Sequence, residues 1–309
     1  MVGVGVVILP QERWSVSREH WREVEQRGFD HAWTYDHLAW RSLADEPWFA
    51  GVPLLAAAAA VTERIALGTW VASPNFRHPV PFAKEGMGLD DISGGRFVLG
   101  IGAGGEGLDA QVLGPAPSRG ERTARFAEFL GQLDELLTHP VTEREGPRYA
   151  AHGARMVPGT LARPRTPFVV AANGPRAMAL AARYGQGWAT YGPAVPPDEG
   201  PTAAAQERWW AGLAELSATF DEVEAAAGRT GEDRLRRYLN VDAAPVFSLV
   251  SVDVAVEGIA RAAALGFDEV VVHRPRAAGV YAGSLPAYDE LASRLPELHA
   301  LPVAARPTH

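Results

Sequence analysis

The chain has 309 residues, 47% apolar and 21% charged, with a formal net charge of −8 and no cysteine. That balance fits a folded globular protein with one large core or two modest ones, and the negative charge argues against nucleic acid or an anionic membrane as partner. Disulfides, thiolate metal sites, iron–sulfur clusters and thiol nucleophiles are excluded; with no membrane-length apolar stretch and no signal-peptide pattern, a cytoplasmic protein is expected.

Val2 to Leu9 is continuously apolar and β-branched, as expected of a strand buried on both faces of a parallel sheet. Ser17 is placed as the cap of a helix reaching about Arg27, which Gly28 ends. His31 to Tyr35 reads as the second strand, and Asp36 and His37 stand just past it. A helix from about Pro53 to Val61 precedes a third strand, Arg64 to Val71, whose exit is Ala72-Ser73-Pro74-Asn75. Pro79 opens the next helix, where its missing N–H costs little, and Gly94-Gly95 stop it. The fourth strand, from Arg96, then empties into Gly102-Ala103-Gly104-Gly105-Glu106.

Gly114-Pro115-Ala116-Pro117 break the chain before a helix with apolar residues at helical spacing from Gly120 to Leu137. His139 to Pro167 shows no sustained period and is read as a surface excursion. Phe168 to Ala172 is the fifth strand, with Asn173-Gly174 as its exit and Pro175-Arg176 opening a helix to about Tyr184. After the sixth strand, Gly187 to Thr190, the segment Gly192 to Pro201 holds four prolines and reads either as a mobile lid or as an exposed connector. A long helix from about Ala203 to Ala227 and a seventh strand, Leu239 to Ala243, follow. Asp253 caps a helix ending at Gly266, Glu269 to His273 is the eighth strand, and Leu285 to Leu298 the last helix.

Gly28-Phe29-Asp30 before the second strand recurs as Gly266-Phe267-Asp268 before the eighth, and Gly185-Gln186-Gly187-Trp188 plays a similar part before the sixth. Each reads as a helix, a glycine in the left-handed cap position and a short apolar strand. Eight such units predict one α/β domain over residues 1–309, a (β/α)8 TIM barrel with loop insertions at its C-terminal face; a doubly wound open sheet is the alternative. In a barrel, the strand ends bring Asp36-His37, Trp70 to Asn75, Gly102 to Glu106, Asn173 to Arg176 and His273-Arg274 to one face.

Gly100 to Gly105 also spells G-x-G-x-x-G, but in the fourth unit and with no acid closing a strand about 20 residues on. A cradle for a flat ligand and a structural tight turn stand beside the dinucleotide reading. Asp36-His37, a carboxylate beside an imidazole, suits proton movement, against a packed structural histidine. Glu106 reads as the complementary acid or as a helix cap. Trp70 and Trp40 are core residues or walls for a planar ligand. Asn173-Gly174-Pro175-Arg176 puts free N–H groups and a guanidinium at a helix start, a phosphate site against an ordinary cap with a surface arginine; Arg274 and Arg276 offer another anion contact. The nine histidines show neither H-x-H nor H-E-x-x-H, so no metal site is expected, and no G-x-S-x-G elbow is present. Cofactor-borne redox chemistry survives this elimination best.

Five motifs in order carry a family resemblance: Asp36-His37 with Trp40; Leu67-Gly68-Thr69-Trp70-Val71 running to Pro74-Asn75-Phe76-Arg77; Leu89 to Arg96; the glycine loop ending at Glu106; and Ala171 to Arg176. Together they resemble the bacterial luciferase-like monooxygenase superfamily, and more closely its branch using the deazaflavin coenzyme F420. The resemblance implies a barrel with the ring in its mouth and Asp36 beside the ring, His37 and Glu106 handling protons, and the phosphate held by Asn173, Gly174, Pro175 and Arg176. It also implies ring contacts from Trp70, Val71, Gly102, Ala103 and Gly104, a non-proline cis peptide at Trp70–Val71, and a homodimer. The expected activity is hydride transfer between F420 and a small-molecule substrate. Alternatives are an FMN-dependent monooxygenase using O2 and a non-catalytic flavin-binding barrel. The glycine loop is one residue longer than in the branch's sugar-phosphate dehydrogenases, and Trp70 replaces a usually small residue, so the sugar-phosphate substrate does not carry over.

Overall fold

A computed structural model describes residues 1–196 and 198–306. In chain order the elements begin β1 (Gly3–Val7), α1 (Trp14–Gln26), β2 (His31–Thr34), α2 (Gly51–Ala59), β3 (Ala66–Thr69), α3 (Pro79–Ile92) and β4 (Phe97–Gly102). A short helix α4 (Asp109–Val112) and the long α5 (Arg119–Thr138) lead to β5 (Val141–Arg144) and β6 (Ala151–Arg155). Then come β7 (Phe168–Ala171), α6 (Pro175–Tyr184), β8 (Gly187–Thr190), α7 (Ala203–Ala226) and β9 (Arg236–Asn240). The chain continues through α8 (Val252–Ala264), β10 (Glu269–His273), α9 (Leu285–Ser293) and α10 (Leu295–His299).

Eight strands close into a barrel in the order β1-β10-β9-β8-β7-β4-β3-β2, so the fold is a (β/α)8 barrel and the open-sheet alternative falls. Neighbours run parallel, with Val4 opposite Val270 and Gly102 opposite Ala171. Every residue of β10 is buried, which is why Glu269-Val270-Val271-Val272-His273 reads as an almost unbroken apolar run. Gly28 (φ +86°) and Gly266 (φ +81°) take the left-handed conformation that ends a helix and turns the chain into a strand.

Other local expectations need correction. Gly185 is extended, not left-handed; a Cβ there would lie 2.7 Å from the Ala181 carbonyl, so close packing selects glycine. Helix α1 starts at Trp14, which leaves Ser17 inside it and buried instead of capping it. Ser251, not Asp253, caps α8 by accepting a hydrogen bond from Val254 N. Strand β9 begins at Arg236, earlier than expected, because the buried Arg237 is neutralised by Asp221 (2.7 Å) and Glu224 (2.6 Å) and so hides the strand from an apolar pattern. The excursion between His139 and Pro167 contains the antiparallel β5–β6 pair. The last helix divides at Arg294, where Pro296 in the first turn of α10 lacks the N–H a continuous helix requires. Of the proline-rich segment read as lid or connector, Pro197 lies outside the described residues.

The chain resolves into two compact units, one of Met1–Ile8, Glu23–Ala32 and Ala172–His309, the other of Leu9–Arg22 and Trp33–Ala171. In the first, Trp188 stacks on Phe220 at 4.0 Å and Phe29 on Tyr288 at 5.5 Å. In the second, Trp33 packs on Trp70 at 4.9 Å and Phe82 on Phe129 at 6.2 Å. These ring pairs anchor the two cores by burying large apolar areas in fixed geometry.

Candidate active site

Within the second unit, the exits of β2, β3 and β4 carry the polar groups. Asp36 is 1% exposed, and Arg77 engages both its oxygens, Nε to Oδ2 at 2.9 Å and Nη2 to Oδ1 at 2.6 Å. Arg77 Nη1 also reaches Glu85 at 2.6 Å. Burial works against the Arg77 charge, but the hydrogen bond to Asp36 and the charges of Asp36 and Glu85 more than offset it and raise its pKa. Asp36 is therefore a fixed, paired carboxylate.

His37, its neighbour in sequence, has a different carboxylate. Its Nδ1 lies 2.5 Å from Asp109 Oδ2, while Asp109 Oδ1 accepts from Leu38 N at 2.8 Å and from Ala39 N at 3.4 Å. Trp48 Nε1 donates to the His37 carbonyl at 2.8 Å, and the Tyr35 ring meets the imidazole edge-on at 5.7 Å. The His37 side chain remains 22% exposed, against 4% for Asp109. Such an imidazole is held in place yet reachable, which proton transfer requires. Trp40 packs on Tyr35 at 5.2 Å.

Strands β3 and β4 approach through glycine. A Cβ on Gly100 would fall 1.9 Å from the Thr69 carbonyl, Thr69 Oγ1 donates to Gly100 O at 2.6 Å, and Gly102 N donates to Ala72 O at 2.9 Å. Beyond Ala103, Gly104 has φ +77°, and a Cβ there would meet the Asn75 side chain at 2.7 Å. Asn75 in turn donates to Gly105 O at 3.3 Å and accepts from Arg125. A Cβ on Gly107 would touch nothing within 4 Å, so the loop tip faces open space. The closed barrel removes the dinucleotide-fold reading of this G-x-G-x-x-G. Trp70 is 1% exposed and packs into the core on Trp33, and the Trp70–Val71 peptide is cis. The Glu106 side chain is 74% exposed and paired with Arg122 at 2.8 Å.

In the first unit, Asn173 Nδ2 donates to Gly192 O at 2.6 Å and Asn173 Oδ1 accepts from Thr190 Oγ1 at 2.7 Å. Gly174 caps α6 without a side-chain hydrogen bond, Pro175 holds the first helical position, and Arg176 is exposed beside it. No side chain caps the first N–H groups of this ten-residue helix. Arg276 is turned inward on its own loop, its Nη1 donating to Val280 O at 3.2 Å.

Sequence reasoning missed Asp109 and Asp242, and it named Arg77 within a motif without giving it the pairing to Asp36. Asp242 accepts from His273 Nδ1 at 3.0 Å and from Ser248 N at 3.0 Å, with Tyr281 stacked on His273 at 3.7 Å. The one signal for Asp109 was an acid three residues beyond Glu106, opening a helical turn after the glycines. No group of His, Cys, Asp and Glu able to hold a metal occurs among the described residues.

Residues 3–231 match the family model for luciferase-like monooxygenase. The chain belongs to the luciferase-like monooxygenase family. This luciferase-like chain is 32% identical over 304 residues to an F420-dependent glucose-6-phosphate dehydrogenase of Intrasporangium calvum, covering 83% of this chain and 88% of that one. To the protein of the same description in Beutenbergia cavernae it is 39% identical over 169 residues, spanning about half of each: 53% of this chain and 48% of the relative. Among solved structures, the coenzyme F420 dependent tetrahydromethanopterin reductase from Methanopyrus kandleri superposes with a TM-score of 0.74 over 96% of this chain and 99% of that one. At 18% identity that likeness concerns the fold.

Proposed function

We propose that this luciferase-like protein is an F420-dependent oxidoreductase moving a hydride between the deazaflavin and a small organic substrate. The observation that carries the reading is His37, an imidazole fixed at one nitrogen and open at the other at the exit of β2. The relatives described as F420-dependent support the cofactor. Bound F420 supplies a two-electron hydride donor or acceptor at C5 of its ring.

The residues present suit that group. In this reading the ring lies against the partly accessible Val71, Ala103 and Gly104, while the buried Asp36, Trp70 and Gly102 support that wall from within. The uncapped start of α6, with Asn173, Gly174, Pro175 and Arg176, holds the phosphate. With the cofactor bound to take the hydride from the substrate carbon, Nε2 of His37 would accept the proton of the adjoining heteroatom, and would return it when the cofactor gives the hydride back. Glu106, exposed and paired with Arg122, is the second proton-handling candidate. The protein acts as a homodimer on a small-molecule substrate.

Titration with F420 and FMN side by side tests the reading. The expected result is saturable F420 binding, with His37→Ala keeping that binding while turnover falls about 100- to 10,000-fold, the range of a lost acid–base group. The family model's monooxygenase description favours a second reading, flavin activation of O2. Tight FMN binding with oxygen consumption would establish it and remove the first. Saturable F420 binding with no substrate turned over by the native protein would point instead to a non-catalytic binding barrel.

A further inference from the structure

We infer that Asp109 is the positioning residue of His37: it holds the imidazole in the tautomer protonated at Nδ1 and so reserves Nε2 for the substrate's proton. The inference rests on His37 being the proton-transfer group of the proposed reaction.

Asp109 opens α4, after the glycine loop, yet its carboxylate is spent on the exit of β2. Oδ2 meets His37 Nδ1 at 2.5 Å, and Oδ1 accepts from Leu38 N at 2.8 Å and Ala39 N at 3.4 Å. The two backbone N–H groups make Oδ1 an acceptor, which leaves Oδ2 to face the ring nitrogen. An ionised carboxylate offers acceptors only, so the proton between it and the ring belongs on Nδ1. Among the described residues none hydrogen-bonds Nε2, the nitrogen left for chemistry. Asp36 is turned to Arg77 instead, both its oxygens accepting from that guanidinium.

The backbone of the histidine is fixed as well, through Trp48 Nε1 on its carbonyl and Asp109 on the two following N–H groups. One carboxylate therefore sets position and protonation together. A carboxylate that orients a histidine through Nδ1 is a recurrent arrangement in enzymes, where replacing it by an amide yields the wrong tautomer and a large loss of rate.

Asp109→Asn separates these roles. An amide has one acceptor oxygen; if that oxygen keeps Leu38 N and Ala39 N, the NH2 group faces Nδ1 and forces the neutral ring to carry its proton on Nε2. The tautomer is read directly from 15N-labelled protein by imidazole nitrogen shifts, without cofactor or substrate. The expected result is neutral His37 protonated at Nδ1 in the native protein and at Nε2 in Asp109→Asn. With F420 and a turned-over substrate, kcat should fall about 100-fold or more, while KM and the F420 dissociation constant change less than about threefold. Native His37 protonated at Nε2, or an Asp109→Asn variant that switches tautomer yet keeps kcat, would overturn the inference. Because the nitrogen shifts need no cofactor, a native protein that binds no F420 defeats the proposed function without touching the tautomer result. Asp109→Glu, which restores a carboxylate, should return the Nδ1 form and part of kcat.

Discussion

Asp36 and His37 are adjacent in sequence but have separate partners, Arg77 and Asp109. The buried Asp36 depends on Arg77 for its hydrogen bonds. Arg77→Met should destabilise the protein by about 3–5 kcal/mol by leaving a buried carboxylate unpaired, seen as a lower urea midpoint at unchanged slope. A second buried carboxyl, Glu269, is held below its ordinary value: burial pushes it up, but His31 at 3.1 Å and Arg236 outweigh that. With the folded value below the unfolded one, near 4.5, its stabilisation is complete above about pH 4.5 and is lost as pH falls through the folded value. Acid titration of stability should show a steeper fall below pH 4.5 in the native protein than in Glu269→Gln. At this scale the sequence showed which residues were polar at a strand exit, Asp36 and His37 among them. It could not show the partners, because Arg77 and Asp109 lie 41 and 72 residues away and only the fold brings them near.

Elements whose ends carry local chemistry were legible, and those defined by distant contacts were not. Pro79 and Pro175 mark helix starts by their missing N–H, and Gly28 and Gly266 mark helix ends by a conformation other residues resist. The β5–β6 pair and the early start of β9 escaped because Val141-Thr142-Glu143-Arg144 and Arg236-Arg237 carry charges that erase the apolar period. Helix α5 opens with a reciprocal pair: Ser118 Oγ accepts from Glu121 N at 3.4 Å while Glu121 accepts from Ser118 N at 2.8 Å. It also carries Arg122 and Arg125, which reach Glu106 and Asn75 on the glycine-loop side. Ser118→Ala should cost about 1 kcal/mol, measured by chemical denaturation. A Cβ on Gly100 would meet a carbonyl oxygen and not a movable side chain. Gly100→Ala should therefore cost about 1–3 kcal/mol or more, visible as a lowered thermal midpoint.

The barrel itself was readable because eight units repeat one local pattern, and repetition survives errors in any single boundary. Net charge adds a constraint of its own: at −8 the chain gives an anionic ligand no general attraction, so affinity for a phosphate must come from local groups. In the proposed function the uncapped start of α6 beside Arg176 supplies such groups, and their contribution should weaken with salt. If F420 binds the folded chain and not the unfolded one, a free concentration 100 times the dissociation constant adds about 2.7 kcal/mol of stability. At an unfolding entropy of roughly 2.1 cal/mol/K per residue, that raises the thermal midpoint by about 4 °C for a chain of 309 residues. FMN at the same concentration should give a smaller rise. Arg176→Ala should reduce the rise given by either phosphate-bearing cofactor, with little change in the midpoint of the ligand-free protein because Arg176 is exposed. An equal shift from both cofactors in the native protein would show that the barrel does not discriminate deazaflavin from flavin, and would return the choice of cofactor to the monooxygenase reading.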